Sequence, residues 1–446
     1  MGKKRKILMV FFLICELCGI TSILLYFYFT MFAKPKEVII NYIDYKDEII
    51  KIEVLNAKEG ESFCAFDERD TKEEDLTWKE ISNNICSYEI KDVGSYILYI
   101  KNKEEIITDE TTSKVLKIIP KKEKYYLAKN VTAKIEYDVI ELGTNEINVS
   151  IKNKEIATLE NNKFTSEKAG TTIIVLESEE IKEEIQLTVT DLIDKMPKNY
   201  NYDRSYLTCN KFSESQAKLL DEILIDRVET AGESTRAGVV AAARFLTLEF
   251  PYRISYFSEN GRMANYSGGY KVDGEGRYYH KGLYLTQSKT EDIKYVGEGP
   301  NPWGCMIYSR PAKGQRRNGL DCSGFTTWVV YNGGIDIEDL GAYGGSKAYK
   351  NLNDVGEERK LTQKLALSGE IKAGDLLGEV TISEGHSAII IGIDKNYYYV
   401  AESLWIAPLG VNVNKYKKEE IHKYFETVNL MDSVYKEDGN YTAMWY

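Results

Sequence analysis

The spacing of apolar and polar positions changes several times along the chain. Residues 7–32 read ILMVFFLICELCGITSILLYFYFTMF, an almost unbroken apolar run behind the basic cluster Lys3-Lys4-Arg5-Lys6. At about 1.5 Å per residue such a run crosses a hydrocarbon core of roughly 30 Å. No small-x-small cleavage site follows it, as removal of a signal peptide would require. The pattern therefore predicts a cytoplasmic tail and an uncleaved transmembrane helix over residues 1–35. The basic cluster would hold the N-terminus in the cytoplasm and leave the rest outside. Glu16 interrupts the run, either as a lone carboxyl on a single anchor or as a contact with a partner helix. Cys15 and Cys18 read as apolar filler.

From residue 36 to 120 the period falls to two. The runs VIINYI, EIIKIEVL, CSYEI, SYILYIK and KVLKII alternate between turn-rich clusters, which predicts an antiparallel β-sandwich. The fragment Lys91-Asp-Val-Gly-Ser-Tyr96 resembles the D-x-G-x-Y corner of immunoglobulin-like (Ig-like) domains, and Trp78, fourteen residues after Cys64, resembles their core tryptophan. Leu98 stands where such domains often carry a second cysteine, and Cys86 comes earlier, on a neighbouring strand. A Cys64–Cys86 disulfide and two reduced thiols both remain open. Residues 121–192 continue the alternation. Their Gly143-Thr144 turn, Ile156-Ala157-Thr158 strand start and Ala169-Gly170-Thr171-Thr172 approach to an apolar strand resemble a bacterial Ig-like repeat. Both β units read as spacers, because no aromatic cluster or metal-ligand run stands out in either.

At Asp194–Tyr202 the pattern lapses into a polar, aromatic linker, and residues 193–446 form the last predicted domain. Its start reads as two helices. Ser213 is placed to cap SESQAKLLDEILIDRVE, and Ser234 or Thr235 to cap TRAGVVAAARFLTLE, which must stop before Pro251. The small residues Ala241–Ala243 suggest close helix packing. Residues 256–300 are rich in Tyr and Gly, as either a ligand-binding wall or an ordinary hairpin.

Composition narrows the chemistry. The net charge is −11, and nothing beyond the first six residues supplies the basic footprint of a nucleic-acid binder. With only 3 histidines, no H-E-x-x-H helix, and the C-x-x-C of Cys15 and Cys18 inside the apolar run, no metal site or other cofactor is expected. The 7 cysteines leave at least one thiol unpaired.

The reactive candidates lie between residues 300 and 405. In Asn318–Gly334 the apolar residues Phe325–Tyr331, closed by Gly333-Gly334, predict a short helix with Cys322 at or just before its first turn. That position favours a thiolate. Downstream, Gly385-His-Ser-Ala-Ile-Ile-Ile-Gly-Ile393 puts His386 at the head of an apolar strand, and Tyr397–Ser403 puts Glu402 on another. A cysteine nucleophile, a histidine base and a carboxylate that orients the imidazole make a hydrolase triad. Ser403 and Asn396 are alternatives for the third member. His280, in the Tyr/Gly-rich stretch, and His422, on a helix read as exposed, are the weaker histidines.

Asp321-Cys-Ser-Gly-Phe325 followed by Gly385-His386 resembles the NlpC-type cell-wall cysteine endopeptidases over roughly residues 300–405. The resemblance implies an α+β papain-like domain, with Cys322 as nucleophile and His386 as base. It implies that Asp321 and Ser323 line the substrate and that stem peptides of peptidoglycan are cleaved, typically beside D-glutamate. Asn301, in Asn301-Pro-Trp-Gly-Cys305, stands where the family often has a tyrosine near the nucleophile, and Cys305 replaces a glycine. Cys305 either pairs with Cys209 or stays reduced. Glu402 is more similar to the third residue of CHAP-type amidases.

The expectation for the whole chain is thus multidomain: a transmembrane helix, two all-β Ig-like sandwiches and a papain-like domain. It would be a membrane-anchored extracellular peptidoglycan hydrolase whose partners are peptidoglycan and, through its N-terminal helix, the membrane. Two alternatives stand beside it, a wall-binding protein with an inactive peptidase site and an N-acetylmuramoyl-L-alanine amidase. No protein partner is indicated.

Overall fold

The computed structural model describes residues 39–57, 62–68, 72–101, 106–109, 113–179, 181–197, 200, 213–250, 254, 256, 320–337, 340–341, 350–351, 354–379, 385–406 and 410–441. They carry twenty-four strands against four α-helices. This corrects the fold expected from the sequence. No helix among the described residues is long and apolar enough to cross a membrane, and the run 7–32 lies outside them. Nor is a long helical papain-like domain evident among the described residues. The four helices have 18, 9, 11 and 6 residues, and strands rich in β-branched and aromatic residues dominate the C-terminal region as well. Such side chains fit a pleated surface better than a helix.

Contacts group the chain into two units. The first comprises residues up to 122 with 136–150 and 175–184, and the second comprises 123–135, 151–174 and 185–446. In the first, strands Ile39–Lys46, Ile49–Leu55 and Ile85–Glu89 form one antiparallel sheet. Asp47 and Glu48, with φ of 53° and 64°, make the two-residue turn that suits the right-handed twist of its hairpin. A second sheet runs in the order Lys79–Glu80, Phe63–Glu68, Gly94–Lys101, Tyr137–Leu142 and Lys114–Pro120. Alternation along Ile49–Leu55 buries Ile50, Ile52 and Val54 against Leu98, Ile100, Leu116 and Ile140 of the facing sheet. A Cys64–Cys86 disulfide links the two sheets across this core.

Tyr96 donates its hydroxyl to the carbonyl of Asp92 at 2.8 Å, an Ig-like tyrosine corner, and its ring stacks on Phe66. Trp78 departs from the Ig-like reading. It packs with Ala65, Leu76, Ile97 and Tyr99 in a separate cluster and does not reach the central core. The face on which a side chain falls is set by strand register, which spacing from a cysteine does not reveal.

The second unit opens with β structure. Thr132–Lys134, Lys163–Ser166 and Ala157–Glu160 form a small antiparallel sheet, and Lys124–Leu127 pairs in parallel with Gln186–Val189. Helix α1, Glu214–Ala231, starts at Ser213 with a reciprocal capping box to Gln216. Helix α2, Arg236–Arg244, is capped by Thr235 and runs on as a π-helical turn over Phe245–Glu249. Buried Arg227 of α1 is held by Glu249 at 2.9 Å and by the Tyr126 carbonyl at 2.7 Å. Helix α3 spans Cys322–Asn332 and ends at Gly333, where a Cβ would lie only 2.4 Å from the Val239 side chain of α2. The close approach of α2 to the end of α3 therefore needs glycine.

The sheet that organises this unit follows α3, with helix α4, Gln363–Ser368, between its first two strands in the chain. Its strands are β1 (Glu357–Lys360), β2 (Leu376–Glu379), β3 (His386–Ile393), β4 (Tyr397–Leu404), β5 (Gly410–Lys417) and β6 (Thr427–Leu430), antiparallel throughout in the order β1-β6-β2-β3-β4-β5. Alternation gives the sheet two faces. Leu377, Ala388, Ile390, Tyr398 and Val400 pack with Leu361, Ala366, Ile421 and Phe425. From the opposite face Ser387 meets Thr326 of α3 at 3.0 Å.

Candidate functional site

Cys322 is the first residue of α3, 7% exposed, and the free cysteine among the described residues. Its position is set by the helix start. Asp321, buried and extended, accepts the Gly324 amide at 2.6 Å as N-cap. Ser323, fully buried, donates to the same carboxylate at 3.3 Å. Both side chains that the resemblance assigned to substrate contact thus serve the helix cap, and they bear on substrate through where they hold Cys322. The cap is tied to the sheet as well, because Ser403 of β4 donates to the Leu320 carbonyl at 2.7 Å.

His386 heads β3 beside that helix start. The Cys322 sulfur lies 3.8 Å from the carbonyl of Gly385, the residue before His386, and it is one of the groups that favour the protonated ring. The ring's Nε2 is 2.7 Å from Glu402 Oε2. Ala388 pairs with Glu402 across β3 and β4, so His386 and Glu402 share one face as diagonal neighbours. Glu402 is 1% exposed and fully partnered: its Oε1 accepts Asn414 Nδ2 at 2.8 Å and the Tyr416 hydroxyl at 2.7 Å, both from β5. Phe425 stacks on the imidazole at 6.1 Å and meets the Tyr416 ring edge-on at 5.4 Å.

The electrostatics favour a charged imidazole. Burial alone opposes protonation, but the hydrogen bonds to Cys322 and Glu402 and the carboxylate's charge outweigh it and push His386 up from 6.5 to about 10. Burial, then the charge of Glu402, drive the Tyr416 phenol far above its ordinary range, so it remains a donor. A cleft of about 580 Å³ opens here, lined by His386, Glu402, Ile406, Tyr416, Tyr424 and Phe425 among others. Chemically, the set can hold a sulfur nucleophile, a proton carrier and a fixed anion in one line, next to first-turn helix amides able to receive a developing oxyanion.

Of the residues picked out by sequence, Cys322, His386 and Glu402 come together, with Asp321 and Ser323 behind the nucleophile. Ser403 serves the Leu320 contact, and the Asn396 amide donates to Asp394 in the β3–β4 turn. Asn301, Cys209, Cys305 and His280 lie outside the described residues. His422 sits half-buried in a short 3-10 turn, Ile421–Lys423. Sequence reasoning missed Asn414, Tyr416 and Phe425. The signal for the first two was their i, i+2 spacing in VNVNKYK, which puts them on one strand face. No group of three or more His, Cys, Asp or Glu side chains fit to hold a metal ion occurs among the described residues.

No family model matches the chain, and no curated protein does. Among solved structures it is similar to domains 4 and 5 of the S-layer protein SbsC, at 18% identity and a TM-score of 0.16 over 22% of this chain and 65% of that one. It is also similar to extracellular domains 3–5 of Drosophila OTK, at 11% identity and a TM-score of 0.16 over 35% of this chain and 65% of that one. A chimeric titin Z1Z2 gives 10% identity and a TM-score of 0.13 over 32% and 87%. The chain spans less than two thirds of the S-layer structures it matches. At these TM-scores the likenesses carry no argument about function.

Proposed function

We propose that the chain is a cysteine hydrolase acting on amide bonds of peptidoglycan stem peptides. The observation that carries this reading is the hydrogen-bonded pair His386–Glu402 beside Cys322, whose sulfur sits at a helix N-terminus within 3.8 Å of the Gly385 carbonyl. The thiolate attacks the scissile carbonyl carbon and forms an S–C bond. As the C–N bond breaks, the imidazolium gives its proton to the leaving amine. Water then attacks the thioester, His386 takes a proton from it, and the product carboxylate leaves as sulfur is released. Glu402 keeps the imidazole oriented through both steps. The substrate class rests on the resemblance of Asp321–Phe325 and Gly385-His386 to the NlpC-type endopeptidases. Extracellular action is supported by the Cys64–Cys86 disulfide, a bond of oxidising compartments, and by the basic-then-apolar N-terminal sequence. On this reading the β units are spacers.

The test is digestion of purified sacculi by the full chain, with released muropeptides identified by mass spectrometry. Wild type is expected to release peptides, and Cys322→Ala to lose activity by on the order of 10³-fold or more. Equal release by the variant would end the hydrolase reading. A second reading keeps the chemistry and moves the bond to the amide between the sugar lactyl group and L-alanine. The carboxylate on His386 Nε2 favours it, since Glu402 is similar to the third residue of CHAP-type amidases. Free lactyl ends in the digest identify the amidase, and new amino termini within the stem identify the endopeptidase.

A further inference from the structure

Glu402 uses one oxygen on His386, and the other is the natural place to look for what keeps a buried anion in position. Oε1 is the acceptor of two donors from β5, Asn414 Nδ2 at 2.8 Å and the Tyr416 hydroxyl at 2.7 Å. Register places them there: Val400 pairs with Asn414 and Tyr398 with Tyr416, so both side chains fall on the Glu402 face of the sheet. A carboxylate 1% exposed pays heavily for its charge unless its lone pairs are taken. The Tyr416 ring is itself braced edge-on by Phe425, the ring that stacks on His386. Acid, imidazole and donor thus share one support.

We propose that Tyr416 and Asn414 are positioning residues that hold Glu402 aimed at His386, and through it keep Cys322 reactive. This deepens the hydrolase reading and rests on its Cys322–His386–Glu402 line. Without the two donors nothing fixes Oε1, and the carboxylate can turn away from the imidazole. A displaced Glu402 no longer supports the imidazolium, and the sulfur loses its counter-ion. A tyrosine that only fills space would leave that balance alone.

The experiment measures alkylation of Cys322 by iodoacetamide in the full chain between about pH 5 and 10, read on the Cys322 peptide by mass spectrometry. It needs no substrate, so it stands apart from the sacculus digest. In Tyr416→Phe, which keeps the ring, the midpoint of the rate profile is expected about one pH unit higher than in wild type. On the acidic limb that is about tenfold slower labelling. Asn414→Ala is expected to move it in the same direction, and the double variant further. Thermal melts identify any variant that fails to fold, and the other single variant then carries the measurement. Profiles of the folded variants that superimpose on wild type would overturn the proposal, as would a wild-type Cys322 labelled no faster than a free thiol at pH 6. A shifted profile with no muropeptide release would leave the positioning role standing and remove the hydrolase reading.

Discussion

At the scale of single residues, His386 has the most consequential chemistry. Its proton is retained to about pH 10 because two partners compensate for its burial. The sign of the stability effect follows from linkage. A folded value raised above the unfolded 6.5 contributes stability that is full below about pH 6.5 and is lost as pH rises through about 10. Thermal melts of wild type and His386→Ala should therefore differ most near pH 6 and converge toward about pH 10.5. A gap that widens with pH would contradict the assignment.

At the scale of elements, the site is a meeting of two termini, the first residue of α3 and the first residue of β3. Neither can shift without disturbing the other, since Thr326 meets Ser387 and Leu320 accepts from Ser403. The Asp321 cap sets the angle at which Cys322 leaves the helix. Asp321→Ala should loosen α3 by about 1 kcal/mol, seen as amide hydrogen exchange across residues 325–332 about fivefold faster. Asp321→Ser, which can still accept the Gly324 amide, should recover most of that protection. Exchange unchanged in the alanine variant would mean the cap contributes nothing. The helix starts at Ser213 and near Thr235 were legible from sequence because capping is local and uses a few side-chain types. The role of Asp321 was not, because a cap and a substrate contact make the same demand for a small polar acceptor.

At the scale of the whole molecule, β-structure outweighs helix, and the disulfide lies in the first unit while the reactive cysteine lies in the second. Their energetics should separate accordingly. The disulfide closes a loop with a sequence separation of 22. Replacing both Cys64 and Cys86 by Ala should cost the first unit about 3 kcal/mol, observed by calorimetry as a lowered transition. Cys322 alkylation should stay at the wild-type rate. Loss of that reactivity in the double variant would show that the units depend on each other for folding.

Sequence alone determined what is local. Period-two alternation marked the sandwich strands, capping residues marked the helix starts, and Gly333-Gly334 marked a helix end. Cys322 and His386 could be singled out because each sits where an apolar run begins. Tertiary structure decided everything that depends on register between strands far apart in the chain. It put Trp78 outside the sandwich core, and it chose Glu402 over Ser403 and Asn396 as the His386 partner. Behind Glu402 it set Asn414 and Tyr416, and it gave a sheet-dominated unit where an α+β papain-like domain was expected. A one-residue slip in pairing exchanges the two faces of a strand. No pattern along the chain reports which of two polar neighbours turns toward a buried imidazole.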